Sequence, residues 1–199
     1  MYHNWRCLVR PLYSRSGDIV KCGQLLSAVI AGIMASNPST YISFAPQMTD
    51  IYPGISTISA GFNAQLPPIN MSYSSIKLIQ TQMYNTWAQA EVCILLNRVI
   101  ATMMLNDKVM QCMCALVFPG QTIAFAEQYA ESLIAGFSAT ASTGQTFSLV
   151  LPPTMLALGF PASPSGAGSG YLSPTAVCDM VCRFKSNGTA LSLMTWDIG

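Results

Sequence analysis

Scarcity of charge is the feature of this sequence that most limits how the chain can fold. It holds nine Lys and Arg and eight Asp and Glu among 199 residues, 9% of the chain, whereas soluble domains average about 25%. A folded monomer of this mass exposes roughly 9,000 Å², so few charges must keep a large surface in solution. Because 51% of the residues are hydrophobic, we expect a single domain that buries much of its surface against other protein.

Burial in a lipid bilayer is the alternative for this apolar surface, and the sequence argues against it. A membrane-spanning helix needs about 20 mostly apolar residues. The longest uninterrupted candidate, residues 25–35, is about half that length, and the apolar runs at 92–105 and 123–137 contain polar or charged residues. We therefore expect no membrane span.

The start of the chain and its cysteines indicate an intracellular protein. Residues 1–21 are polar and aromatic, so no secretory signal peptide is expected. The seven cysteines have no spacing typical of a disulfide framework. They fit reduced, buried thiols.

Three segments have helical periodicity. Asp18 can cap a helix that runs to Ser36 and ends at Asn37-Pro38. A long central helix is predicted over residues 75–105, because apolar residues recur there at helical steps. A further helix is predicted over residues 121–137, where Glu127 and Glu131 lie one turn apart on a solvated face.

Loops and short strands are predicted elsewhere. Residues 37–72 favour loops with one or two short strands, and residues 138–146 a polar loop before a strand at 147–151. Residues 109–118 fit either a strand or a helix. The Pro-, Gly- and Ser-rich segment 161–170 predicts an exposed loop.

A β-hairpin is predicted at the end of the chain. Residues 176–185 alternate between two faces, Asn187-Gly188 is typical of a tight turn, and residues 189–196 return. The predicted fold class is therefore α+β, with a central long helix, flanking helices, short strands and this hairpin. Residues 1–17 form an extended arm, and residues 18–199 form one domain.

The sequence shows no motif that would support catalysis, a cofactor or a metal ion. His3 is the only histidine and lies in the arm, so no rigid nucleophile–base pair is expected. The pairs Cys112/Cys114 and Cys178/Cys182 lack zinc spacing and predict core thiols on one side of a strand. The glycines within 166–170 match neither the dinucleotide nor the P-loop pattern.

Two clusters are candidates for an interface with another protein. The arm has too few contacts to order itself and should be fixed by a neighbouring chain. Nucleic acid is a weaker alternative partner, since arginines there alternate with aromatics. A methionine cluster fits either a docking surface or core filling. The candidate interface residues are Tyr2, Trp5, Arg6, Arg10, Tyr13, Arg15, Met103, Met104 and Met110.

These observations together predict a non-catalytic structural subunit of a large assembly, most specifically a viral capsid or virion protein, found in a virion or in host cytoplasm. Its partners would be other copies of itself or a larger structural protein. The alternative is an accessory module that docks one face on a larger protein. An enzyme that uses Ser, Tyr and carboxylates is the third hypothesis.

Overall fold

A computed structural model describes residues 16–59, 61–84, 122–167 and 169–196. These residues form four α-helices and six β-strands. The helices are α1 (Ser16–Ser36), α2 (Leu66–Met71), α3 (Ile123–Ala135) and α4 (Pro174–Ser186). The strands are β1 (Ile42–Phe44), β2 (Ile76–Gln82), β3 (Phe137–Thr140), β4 (Thr146–Leu149), β5 (Leu156–Pro161) and β6 (Ser192–Trp196). Short 3₁₀ turns lie at Met48–Ile51, Tyr73–Ser75 and Pro153–Met155.

Four strands form one parallel sheet in the order β1-β2-β5-β6. Strands β3 and β4 form a separate antiparallel pair. Strand β5 is one of the two central strands of the parallel sheet, and all six of its residues are buried. A near-continuous apolar run of this kind is typical of a parallel strand that is enclosed on both faces.

The helices are positioned by caps and by close approach to their neighbours. Gly23 of α1 lies against α2 so closely that a Cβ there would be 3.0 Å from the Cβ of Pro67. The hydroxyls of Thr122 and Ser173 accept backbone N–H groups at the starts of α3 and α4. On the surface between these two helices, Arg183 Nε donates to Glu127 Oε1 at 2.6 Å.

The predicted class, a mixed α+β domain, is confirmed at that level: helices accompany a parallel sheet and a small antiparallel pair. Two predicted helices are also confirmed. The first ends at Ser36, immediately before Asn37-Pro38, and the third spans Ile123–Ala135. The predicted short strand in 37–72 is β1, but the sequence did not indicate α2 in the same segment.

The prediction of a long central helix is wrong for its first part, because residues 76–82 form β2. Their side chains Ile79, Thr81 and Met83 are buried on alternate positions, with period two instead of 3.6. The rest of that predicted helix lies outside the described residues. So do the ambiguous segment 109–118 and most of the predicted arm.

The terminal hairpin is also wrong. Residues 174–186 form α4, and β6 joins β5 in parallel instead of returning along an antiparallel partner. Gly188, with φ of 74°, ends the helix instead of turning a hairpin. Cys178 and Cys182 are consequently exposed on α4 and do not line a core as predicted.

Candidate functional site

The parallel sheet has two unlike faces. Residues paired across parallel strands point to the same side of the sheet. Phe44 pairs with Ile79, and Ile79 pairs with Leu156, so these residues share one face with every second residue along their strands. This covered face belongs to the main hydrophobic cluster, together with residues of all four helices. The other side, here called the open face, carries Ser43, Leu78, Gln80, Gln82, Ala157, Gly159, Ser192, Met194 and Trp196.

The open face mixes small, polar and apolar residues; it is buried along β5 and accessible on the edge strands β1 and β6. Ser43 and Ser192 are exposed, and Gln80, Gln82 and Met194 are partly exposed. Near its centre, the terminal methyl of Met194 lies over Gly159, 2.5 Å from where a Cβ would be. Such a face is suited to contact a polar molecule or further protein.

An aromatic pair lies at the carboxyl edge of this face. Tyr84 lies two residues beyond the end of β2, and Trp196 is the last residue of β6. Their rings stack with centroids 5.8 Å apart and planes inclined by 25°. Tyr84 is 3% exposed whereas Trp196 is 50% exposed, so the tyrosine supports an indole that presents a free surface to solvent.

The loop after β5 holds this pair in place. Ala162 N donates to the carbonyl of Trp196 at 2.9 Å, which ties the start of the loop to the end of β6. Gly170, with φ of 91°, packs directly on the backbone after β2. A Cβ there would collide with the Met83 carbonyl oxygen and lie 2.7 Å from Tyr84 Cα. Only glycine fits this position without displacement.

The loop after β1 adds ordered polar groups at the same edge. Gln82 Nε2 donates to the carbonyl of Ala45 at 2.9 Å. The Asp50 carboxylate accepts from Gln47 N and Gln65 Nε2, each at 3.0 Å. The loop is folded around buried Asn63, whose amide accepts from Tyr52 N at 2.6 Å and donates to the carbonyl of Ile55 at 2.7 Å. Hydrogen bonds therefore hold the loop after β1 in place at this edge.

A cavity of about 510 Å³ lies away from this edge, beside the segment that leads into β5. Its lining includes Asn70, Tyr73, Val150 and Pro152. The Asn70 amide and Tyr73 hydroxyl already donate to the carbonyls of Ser148 and Val150, at 2.5 and 2.7 Å. These bonds join α2 and the turn that follows it to β4 and the residue after it.

The described residues contain no group of three or more His, Cys, Asp and Glu that could hold a metal ion. All nine candidate interface residues lie outside the described part of the chain, so their assignment stays a prediction. The sequence reasoning did not select Trp196 or Tyr84. A usable signal was present, since each is an aromatic residue at the end of a strand, where loops of a parallel sheet form binding sites.

Comparison with solved structures defines the fold of this chain. It is similar to a family GH18 chitinase from Chromobacterium violaceum, with a TM-score of 0.64 and 21% identity. It also resembles a GH18 chitinase from Pseudoalteromonas aurantia (TM-score 0.56, 16% identity) and the C-terminal domain of Legionella pneumophila ChiA (TM-score 0.55, 15% identity). No protein-family model and no curated protein sequence matches the chain.

These likenesses cover most of this chain but only part of each neighbour. They take in 91%, 88% and 88% of this chain, against 46%, 48% and 53% of the three neighbours. The chain thus spans about half the length of the chitinase structures it resembles, and at these identities the likeness shows the fold alone.

The expectation of a viral capsid or virion subunit is wrong, because the chain has the fold of chitinase domains. Scarce charge predicted extensive burial against protein, but composition does not say which fold requires that burial. The expectation that the chain is not an enzyme is not settled by a fold shared with enzymes at low identity, and it stays a prediction.

Proposed function

We propose that this chain binds chitin-type polysaccharide, a β-linked chain of N-acetylglucosamine, at the carboxyl edge of its parallel sheet. The half-exposed indole of Trp196, backed by Tyr84, is the observation that carries the proposal. A flat aromatic ring binds the apolar face of a sugar, while neighbouring polar groups recognise its hydroxyl and amide groups.

The position of the pair supports the same conclusion. In parallel α/β folds, ligands bind at the carboxyl ends of the strands, where loops surround the edge of the sheet. Gln82 lies two residues before Tyr84, and its side chain donates to a carbonyl of the loop that follows β1 at the same edge. The three similar structures are chitinases or part of the protein ChiA, which makes chitin the first polysaccharide to test.

The proposal is confined to binding. Glycoside hydrolysis needs a carboxylic acid that can protonate the leaving oxygen. In the described part of this edge the Asp50 carboxylate accepts two hydrogen bonds, from Gln47 N and Gln65 Nε2. Those bonds favour a structural role for Asp50 in the loop.

Titration calorimetry with chitin oligosaccharides of four to six sugars tests this proposal. Trp196→Ala should weaken binding by about five- to thirtyfold, as expected for loss of a stacking contact of about 1–2 kcal/mol. Trp196→Phe should retain part of the affinity, because a smaller ring still stacks.

Tyr41→Ala is the matched control. Tyr41 is 64% exposed but lies before β1, at the amino end of the sheet. Its loss should leave the affinity unchanged. A wild-type chain that ignores chitin oligosaccharides, or a Trp196→Ala variant that binds as tightly as wild type, would contradict the proposal.

A further inference from the structure

Helix α4 carries two cysteines on its outer side. Cys178 and Cys182 are both exposed. The residues that pack α4 onto the domain lie on its other side: Val177, Met180, Val181 and Phe184. Cysteine is among the residue types that are most often buried, so packing does not explain why either thiol is here. Their exposure leaves both sulfur atoms accessible to a ligand from solution.

The spacing of the two cysteines places their side chains together on one face of the helix. Cys182 follows Cys178 by four residues, and side chains at this spacing have Cβ atoms about 5–6 Å apart. A disulfide needs Cβ atoms about 3.5–4.5 Å apart, so the intact helix keeps these thiols from joining. A metal ion reaches further, since two metal–sulfur bonds of about 2.3 Å place the sulfur atoms up to roughly 4.6 Å apart. Both side chains can reach this separation when their Cβ–Sγ bonds incline towards each other.

The helix that carries the pair is held at its start and along its inner side. The Ser173 hydroxyl accepts from Ala176 N at 3.3 Å in the first turn. Met180 is fully buried, and Phe184 is 6% exposed. Gly188, with φ of 74°, follows the end of the helix. Because the backbone is fixed in helical geometry, the two sulfur atoms are preorganised for a shared ligand.

The chemistry of the two side chains selects the class of ion. Thiolates are soft ligands, and they favour Cu(I) over hard cations such as Mg²⁺ and Ca²⁺. Cu(I) is satisfied by a linear pair of thiolates, whereas structural Zn²⁺ sites are tetrahedral. In the part of the chain that the structure describes, no third His, Cys, Asp or Glu joins this pair to form a larger metal-binding group. The pair therefore fits an ion of low coordination number.

We propose that Cys178 and Cys182 together bind one monovalent copper ion on the outer face of α4. On binding, each Sγ–H loses its proton to solvent and each sulfur forms one bond to the ion, while the oxidation state of copper does not change. The copper site shares no residue with the aromatic pair at the carboxyl edge of the sheet. It goes beyond the proposed function and does not rest on chitin binding.

The competing account is that the two thiols act separately. Each would then bind a metal ion or a thiol reagent on its own, and the loss of one would leave the other unchanged. A shared ion behaves differently, because the second bond forms within one molecule at a high effective concentration. Loss of either cysteine should therefore remove the whole site.

Copper titration of the reduced, purified full chain in the absence of oxygen tests the proposal, with bicinchoninate as the competing Cu(I) chelator. The double variant Cys178→Ser/Cys182→Ser should bind one Cu(I) fewer per chain than wild type. Each single variant, Cys178→Ser or Cys182→Ser, should lose the same equivalent. Comparison with wild type removes the contribution of cysteines outside the described residues. Circular dichroism should show unchanged helix content, because both positions are exposed.

The spacing of the thiols provides matched controls. Cys182→Ser/Thr175→Cys again has two thiols, three positions apart on the exposed side of α4, and should recover the lost equivalent. Cys182→Ser/Ser186→Cys also has two thiols, but they lie about 12 Å apart along the helix axis, so it should not recover it. Cys22→Ser, at a partly buried position in α1, should leave the copper count unchanged.

Equal copper binding by wild type and by Cys178→Ser/Cys182→Ser would overturn the proposal. So would single variants that each keep the equivalent, or a Ser186→Cys variant that recovers it as fully as the Thr175→Cys variant does. Binding of Zn²⁺ at this pair as tightly as Cu(I) would overturn the choice of ion. Chitin binding is measured separately, so either proposal can fail alone.

Discussion

At the scale of single residues, Tyr129 shows how one buried hydroxyl joins a helix to the loop beside the candidate site. It extends from α3, is 3% exposed, and lies 3.1 Å from the carbonyl oxygen of Ile51 and 3.4 Å from that of Met48. Its ring stacks on Tyr52 at 6.5 Å. Burial raises the pKa of Tyr129 well above its ordinary value of 10.0, and the charge of Asp50 acts in the same direction.

Tyr129→Phe should lower the free energy of unfolding by about 1–2 kcal/mol at neutral pH, because it leaves buried carbonyl groups without a donor. Urea unfolding measures this loss. Tyr41→Phe, at a position 64% exposed, should change stability by less than about 0.5 kcal/mol.

The same variant should also change the response to alkali. The neutral phenol of Tyr129 is the form favoured by folding, so its contribution is complete below about pH 10, the unfolded pKa. It declines as the pH rises above that value towards the higher folded pKa. The stability gap between wild type and Tyr129→Phe should therefore narrow above about pH 10. A gap that stays constant or widens there would contradict this account.

At the scale of elements, the sequence predicted best where a single signal was unopposed. Helices α1 and α3 combine helical periodicity with a clear stop or cap, and both are present. In α4 two signals competed: the alternation of apolar residues at 178, 180, 182 and 184 favoured a strand, but Ser173-Pro174 is a helix start. Val177, Met180, Val181 and Phe184 also follow helical spacing, and this pattern is the one that packs.

Strand β2 was missed for a different reason. Residues 76–84 are apolar at positions that fit both a helical stripe and an alternating strand. Pairing with β1 and β5 decides between them, and a neighbour distant in sequence cannot be seen in a local window. Because β2 leads to Tyr84, this error also concealed the candidate site.

The cap of α4 provides the prediction at this scale. Ser173 Oγ accepts from Ala176 N at 3.3 Å, so Ser173→Ala should lower the free energy of unfolding by about 1 kcal/mol. Thermal unfolding followed at the helical signal measures it. Thr175→Ala, an exposed change in the same turn, should be neutral or slightly stabilising, because alanine is the better helix former. Equal losses in both variants would argue against a capping role for Ser173.

At the scale of the whole molecule, the scarce charge of the sequence corresponds to large apolar side chains that are exposed in the structure. The sequence predicted that apolar surface is buried against protein, and the structure shows part of that surface on Leu25, Val29 and Ile33 of α1 and on Leu193 of β6. Composition could not predict where on the molecule this apolar surface lies. The covered face, the open face and the two edge strands follow from the strand order, which depends on contacts between distant segments.

Hydrogen exchange should reproduce this layout across the sheet. Strand β5 pairs on both sides and is buried throughout, so its amides should open only with global unfolding and be the slowest to exchange. The amides of β6 that point away from β5 have no partner within the described chain and should exchange early in dilute protein. Slow exchange at β6 would mean that a segment outside the described residues covers its edge, and rapid exchange at β5 would contradict its place inside the sheet.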